Sequence, residues 1–270
     1  MRLVDTHAHL FWEDYEHDLD EVMERAREAG VEAILNLGTD DKTSAECVDL
    51  AERFPSCWAA AGVHPNDASL YDSDRDAVMG RLRDLLSHPR VIAVGESGLD
   101  LYRDHVSLDT QIRCLKAHFD LARENDLPIV LHNRQADAEL RDALVKWDEG
   151  VTAILHCFVG DADFGKWAIG RGHFLGLGGV FTFPSSSLRE MVGEWDPDHV
   201  LLETDSPFLS PVPFRGKRNE PSYVASTAAA VADALGMTHD DLAERTTANA
   251  YRALHFPIPA GSIDSTDTGL

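Results

Sequence analysis

Two kinds of hydrophobic pattern take turns along this chain. Short and nearly unbroken apolar runs, at 31–37, 58–63, 91–96, 129–132, 152–156, 173–178 and 199–205, have the length of strands buried on both faces. A further short run opens the chain at Leu3 and Val4. Between the runs, apolar residues recur every three or four positions, as Leu19, Val22, Met23 and Ala26 do within 18–29, the spacing of one helix face. The same spacing predicts helices near 43–53, 75–86, 107–125, 136–147, 161–169, 188–192, 221–235 and 240–254. Gly30 stands where a helix ends in a left-handed residue, and Leu127-Pro128 closes the long helix before the fifth strand.

Eight strand-then-helix units of this kind argue for a parallel sheet joined by right-handed crossovers. An open, doubly wound sheet shares the alternation. However, no Gly-x-Gly-x-x-Gly follows the first strand, and Gly176, Gly178 and Gly179 have the wrong place and spacing for a dinucleotide loop. The eightfold count therefore predicts an α/β TIM (β/α)8 barrel forming one domain over 1–256. The stretch 257–270, with Gly261, Ser262, Asp264 and Asp267, reads as a disordered tail.

Composition narrows the setting. A length of 270 residues suits one barrel, and 44% hydrophobic residues can fill its core. No run approaches the roughly 18 apolar residues that span a bilayer, and charge meets the N-terminus at Arg2 with no signal-peptide core behind it. A soluble, cytoplasmic protein with no membrane association and no obligate protein partner is expected. Cys47, Cys57, Cys114 and Cys157 form no Cys-x-x-Cys and read as reduced thiols, with Cys157 on the strand face opposite His156. The net charge of −23 is unusual. A cationic partner is one reading; the preferred one is a halophilic habitat, where high salt screens an acidic surface from its own repulsion.

Candidate chemistry sits at the strand ends. Side chains two apart on a strand share a face, so His7 and His9 in Asp5-Thr6-His7-Ala8-His9-Leu10 point together, as half of a metal site would require. In a barrel of this kind reactive groups gather on the rim at the C-terminal strand ends. There lie His7 and His9 (first strand), His64 (third), Glu96 (fourth), His132 (fifth), His156 (sixth) and Asp205 (eighth). By contrast His17, His88, His105, His118, His239 and His255 fall on helices and loops and read as surface or packing residues. Four of these imidazoles (His7, His9, His132 and His156) with the two carboxylates exceed what one four-coordinate ion needs and suit two divalent ions sharing a carboxylate. Glu96, between the histidine groups, is the expected bridge. Asp205 could hold an ion and accept a proton from the attacking water. Glu203 shares the face of Asp205, as core support or as an orienting group; Asp5 shares that of His7, as an imidazole partner or a buried structural acid.

After the eighth strand, Arg215, Lys217 and Arg218 put three cations into four residues of an acidic chain. Such loops often hold phosphate in this fold, and a helix opening near Pro221 would add free N–H groups. Pairing with acids such as Glu220 is the bland alternative. Arg103, after strand four, and Arg134, just past His132, are further anion-binding candidates, each equally open to a structural salt bridge.

Taken jointly and in order, several motifs resemble the TatD-type metal-dependent deoxyribonucleases of the amidohydrolase superfamily. They are Asp5-Thr6-His7-Ala8-His9-Leu10, Gly62-Val63-His64-Pro65, Gly95-Glu96-Ser97-Gly98-Leu99-Asp100, Leu131-His132-Asn133-Arg134, His156-Cys157-Phe158, Leu202-Glu203-Thr204-Asp205-Ser206-Pro207 and Arg215-Gly216-Lys217-Arg218-Asn219-Glu220-Pro221. The resemblance implies a TIM-barrel hydrolase that cuts phosphodiester bonds of DNA, typically from the 3′ end, with two divalent ions (Mg, Mn or Zn). It implies that His7, His9, Glu96 and Asp205 bind one ion, and Glu96, His132 and His156 the other. By the same likeness His64 touches substrate phosphate; from the charge pattern itself, Arg103, Arg215 and Lys217 are the further substrate-contact candidates. Ser97, Asn133 and Thr182-Phe183-Pro184 depart from the usual family residues, which bears on substrate preference.

A small-molecule amidohydrolase, a deacetylase or lactonase, would use the same metal pair. Against it stand a glutamate, not a carbamylated lysine, at the bridge and a basic loop on the rim. A non-catalytic metal-binding scaffold would not need the full ligand set. Overall acidity opposes contact with a long polyanion, so a nuclease reading points to DNA ends or single strands held over a few nucleotides.

Overall fold

In the computed structural model, which describes residues 1–256, eight parallel strands neighbour one another in chain order around one sheet. They are β1 (Leu3–Ala8), β2 (Val31–Leu37), β3 (Cys57–Ala61), β4 (Val91–Asp100), β5 (Ile129–Arg134), β6 (Ala153–Leu155), β7 (Phe174–Leu177) and β8 (Val200–Leu202). The helices between and after them are α1 (Leu19–Glu28), α2 (Asp41–Arg53), α3 (Ser69–Ser73), α4 (Arg75–Leu86), α5 (Leu108–Asn125), α6 (Asp137–Trp147), α7 (Ala162–Gly170), α8 (Leu188–Met191), α9 (Val224–Leu235) and α10 (His239–Leu254). The architecture is the TIM barrel read from the pattern. The expected tail at 257–270 lies outside the described residues.

Boundaries follow local chemistry. Asp40 caps α2 through Thr43, Ser107 caps α5 through Thr110, and Gly30 takes a φ of 86° after α1. Val4, Leu35, Ala60, Ile92, Val130, Ile154, Phe174 and Leu201, one from each strand, meet inside the barrel, where Leu254 and Phe256 join them from the end of α10. Asn249 on α10 donates to the carbonyls of Pro197 and Val200, both at 2.8 Å, which fixes that helix beneath β8. A second apolar layer fills the space between strands and helices.

The last strand meets the first beyond the end of the ladder. Ala8 bridges Ser206, His9 N donates to Ser206 O at 2.8 Å, and Asp205 N donates to His7 O at 2.9 Å. Asp5 is the staple of this seam. Its carboxylate accepts from Thr204 N (2.9 Å), Thr204 Oγ1 (2.6 Å) and His7 N (3.3 Å). Of the two roles open to Asp5, the structural one holds; no imidazole is oriented by it.

Three expectations need correction. Glu96 is not at the end of its strand: β4 runs on to Asp100, with a register shift against β5 between Val94 and Ser97. The two strands come so close there that any Cβ on Gly98 would strike the carbonyl of His132. Cys157 is not on a strand face; β6 stops at Leu155, and Cys157 occupies a turn with a φ of 44°. The last corrected boundary is at Pro221, which opens only a 3-10 turn, and α9 proper begins at Val224. The cysteines are free thiols, with Cys47, Cys57 and Cys114 buried. Among the described residues, no helix is long and apolar enough to cross a membrane.

Candidate metal centre

Strand pleating brings His7 and His9 to one side, their Nε2 atoms 3.1 Å apart. His9 Nδ1 lies 2.7 Å from the carbonyl of Leu37, so the ring donates there and keeps its Nε2 lone pair facing inward. Around these two nitrogens sit one oxygen of Glu96 and one of Asp205. Glu96 Oε2 is 3.4 Å from His7 Nε2 and 3.5 Å from His9 Nε2; Asp205 Oδ1 is 3.9 and 3.6 Å away.

The other oxygen of Glu96 faces the second histidine group. Oε1 lies 2.9 Å from His156 Nε2, 3.0 Å from His132 Nδ1 and 3.6 Å from His64 Nε2. One carboxylate thus spans both groups, its two oxygens shared between them. Three combinations, His7 with His9 and Asp205, His7 with Glu96 and His156, and His64 with Glu96 and His132, each place their ligand atoms within 4.8 Å of one another. Imidazole nitrogens and carboxylate oxygens crowded this closely repel unless something positive lies between them. The donor set fits divalent cations.

Electrostatics agree. Burial alone would raise the Glu96 carboxyl, but the imidazole of His156 and the hydrogen bond from His132 hold it well below the carboxylate range. Asp205 is held down in the same way, against burial, by His9 and His7. Burial works to lower His156, and Glu96 with Glu203 overrides it, raising the imidazole well above its ordinary value. His9 and His132 are raised likewise, against burial, by Asp205 with Glu96 and by Asp100 with Glu96. Without cations, then, the cluster holds protons in their place.

Asp205 has a φ of 57°, a left-handed conformation that aspartate tolerates better than most residues. Bonds on both sides fix it: its N–H to His7 O, and its carbonyl accepting from Phe208 N at 2.8 Å. The conformation turns the carboxylate into the mouth just beyond the last strand.

Glu203 stands beside His156, where the orienting role of the two open to it would be filled. Its Oε1 accepts from Cys157 N at 2.7 Å and lies 3.5 Å from His156 Nδ1, while Nε2 of that ring faces Glu96. A Cβ on Gly176 would collide with this carboxylate, so the glycine on β7 makes its room. Glu203→Gln should weaken metal binding by about 10–100-fold, the usual effect of losing a partner behind a ligating histidine. Metal titration followed by calorimetry checks this; unchanged affinity would make Glu203 core support only.

Sequence reasoning missed Asp100. Its Oδ2 lies 3.4 Å from His132 Nε2, and its Oδ1 accepts from the backbone N–H groups of Tyr102 and Arg103. The signal was present, because a residue four beyond Glu96 on one strand shares its face.

Substrate-contact candidates divide. His64 Nδ1 accepts from Asn66 N at 3.1 Å, and burial pushes the ring down to about 3, so it stays neutral with its proton on Nε2. It therefore faces the centre as a donor. Arg103 is exposed on the loop that Asp100 pins, and Arg134 stacks on Tyr102 at 3.8 Å. Arg215 and Lys217 are exposed and line a groove of about 480 Å³ with Phe183 and Phe208. Arg218 drops out of the expected cationic trio: its guanidinium grips Asp18 with two bonds of 2.7 Å and lies over Tyr15. The expected anion site at Pro221 is corrected too. Glu220 places a carboxylate at that turn, bound by Ser222 Oγ and by Arg25 at 2.6 Å.

Comparison with known proteins identifies relatives of this chain. A family model described as TatD related DNase covers residues 4–255. An uncharacterized metal-dependent hydrolase of Bacillus subtilis, YabD, is 40% identical over 93% of this chain and 98% of its own. A protein of Cronobacter turicensis named 3′-5′ ssDNA/RNA exonuclease TatD is 36% identical over 88% of this chain and 92% of its own. The crystal structure of YjjV, a TatD homologue of Escherichia coli, superposes with a TM-score of 0.89 at 30% identity, covering 95% of this chain and 99% of that one.

Proposed function

The chain belongs to the TatD-related DNase family of metal-dependent hydrolases, and on that footing we propose that it shortens DNA strands from their 3′ ends. The observation that carries the reading is the shared Glu96 carboxylate, with an oxygen toward each of two histidine groups on one rim. His7, His9 and Asp205 with Glu96 Oε2 would hold one divalent ion, and His132 and His156 with Glu96 Oε1 a second. Such a pair supplies Lewis acidity, neutralising phosphate charge and lowering the pKa of water.

The chain's own groups do the rest. Asp205, held ionised at the mouth, accepts the proton of the water that attacks phosphorus. His64 Nε2–H donates to an oxygen of the phosphate under attack. Arg215 and Lys217 take the neighbouring phosphate, and Arg103 approaches from the loop after β4. Few such cations are available in a chain of net charge −23, which limits the contact to a few nucleotides and favours ends and single strands over long duplex.

End-labelled single-stranded DNA should be shortened progressively with added Mg2+ or Mn2+ and left intact in EDTA. At limiting metal the rate should fall as pH drops through neutral, because the raised imidazoles of His156, His9 and His132 then keep protons that the cations must displace. No metal-dependent shortening, together with turnover of acetylated or lactone compounds, would replace this reading by that of a small-molecule amidohydrolase.

A further inference from the structure

Beside the metal centre the rim carries an aromatic surface that the chemistry above does not use. Trp12, in the loop after β1, is 40% exposed, and Phe208, in the loop after β8, is 47% exposed. Their rings meet edge to face at 6.0 Å. Phe11 stacks on Trp12 at 5.7 Å, and Phe208 lies 6.3 Å from the ring of His9. Leu209 and Val212 extend the same exposed apolar stretch. Large aromatics held in mutual contact yet left in water mark a binding surface more often than chance exposure. Their loops are also tied to the centre, since Phe208 N donates to Asp205 O.

We propose that Trp12 and Phe208 form a stacking platform for an unpaired base on the nucleotide adjoining the phosphate being cut. The proposal rests on the nuclease reading and adds to it the feature by which the strand is recognised. Stacking on aromatic rings is the sequence-tolerant way to hold single-stranded nucleic acid, because every base offers a π-face. Charge complementarity points to the same occupant. Phe208 lines the groove that contains Arg215 and Lys217, so bases and backbone would find partners side by side. Asp14 also lines that groove, where the exposed cations Arg215 and Lys217 outnumber it. Bases in the interior of a duplex have no free face to offer.

The test is the shortening of a 5′-labelled oligothymidylate by metal-loaded protein, using substrates in which one base at a time near the 3′ end is removed. With the unaltered protein, one abasic position should raise KM by on the order of tenfold. Trp12→Ala and Phe208→Ala should each raise KM for the intact strand by a similar factor, and Trp12→Ala should erase the abasic penalty, while Trp12→Phe restores it. An unchanged melting temperature establishes that each variant is folded. If the strand is shortened with the same KM by all proteins and no position is sensitive, the platform is wrong and the nuclease reading stands. Should the unaltered protein shorten no strand at all, both fall.

Discussion

Glu96→Gln should reduce hydrolysis by on the order of 10³-fold or more, the loss that follows when about 4 kcal/mol of transition-state stabilisation disappears. Glutamine keeps the volume of the side chain, so the effect is electronic. The carboxylate has one oxygen 3.4 Å from His7 Nε2 and the other 2.9 Å from His156 Nε2, so this one side chain offers an oxygen to each group. An amide offers only one weakly basic oxygen, and its NH2 would turn a donor toward one set of ligands. Both cation sites should therefore weaken together. The accompanying sign is thermal: the rise in melting temperature that saturating metal gives the unaltered protein should shrink in the variant, since stabilisation follows the ratio of metal concentration to Kd. Normal rates in Glu96→Gln would remove the bridge from the mechanism.

Asp205→Asn is expected to cost about 10²–10⁴-fold in kcat, the range for loss of a general base. The variant differs from Glu96→Gln in what survives. Asp205 borders only the His7 and His9 group, at 3.9 and 3.6 Å, so the cation near His132 and His156 should bind almost as before. Raising the pH should recover part of the rate in Asp205→Asn, because hydroxide then replaces the missing proton acceptor, and should do so far less in Glu96→Gln. Steady-state kinetics over a pH series separates the two. Equal loss at all pH values in both variants would mean that Asp205 serves only as a ligand.

Much of this centre could be read along the chain because the barrel turns spacing into position. Alternation in β1 places His7 with His9, and apolar runs ending in His132, His156 and Asp205 put those residues on one rim. Where the reading failed, a tertiary contact outweighed the local pattern. Glu96 lies inside β4 because pairing with β5 resumes beyond a register shift and carries on to Asp100, which no single-strand pattern reveals. Arg218 looked like a substrate contact by its neighbours in sequence, yet Asp18, two hundred residues away, claims it. Asp5 faces the same way as His7, but the seam between β1 and the loop after β8 takes all its hydrogen bonds. Trp12 and Phe208 gave no signal at all, because loop aromatics have no periodicity and their meeting depends on closure of the barrel.

The central claim is that two cations share Glu96, and diffraction from crystals grown with Mn2+ tests it most directly. The anomalous map should show two peaks per chain, one in contact with His7, His9 and Asp205 and the other with His132 and His156, both touching the Glu96 carboxylate. A single peak, or two peaks with Glu96 bonded to neither, would contradict the account.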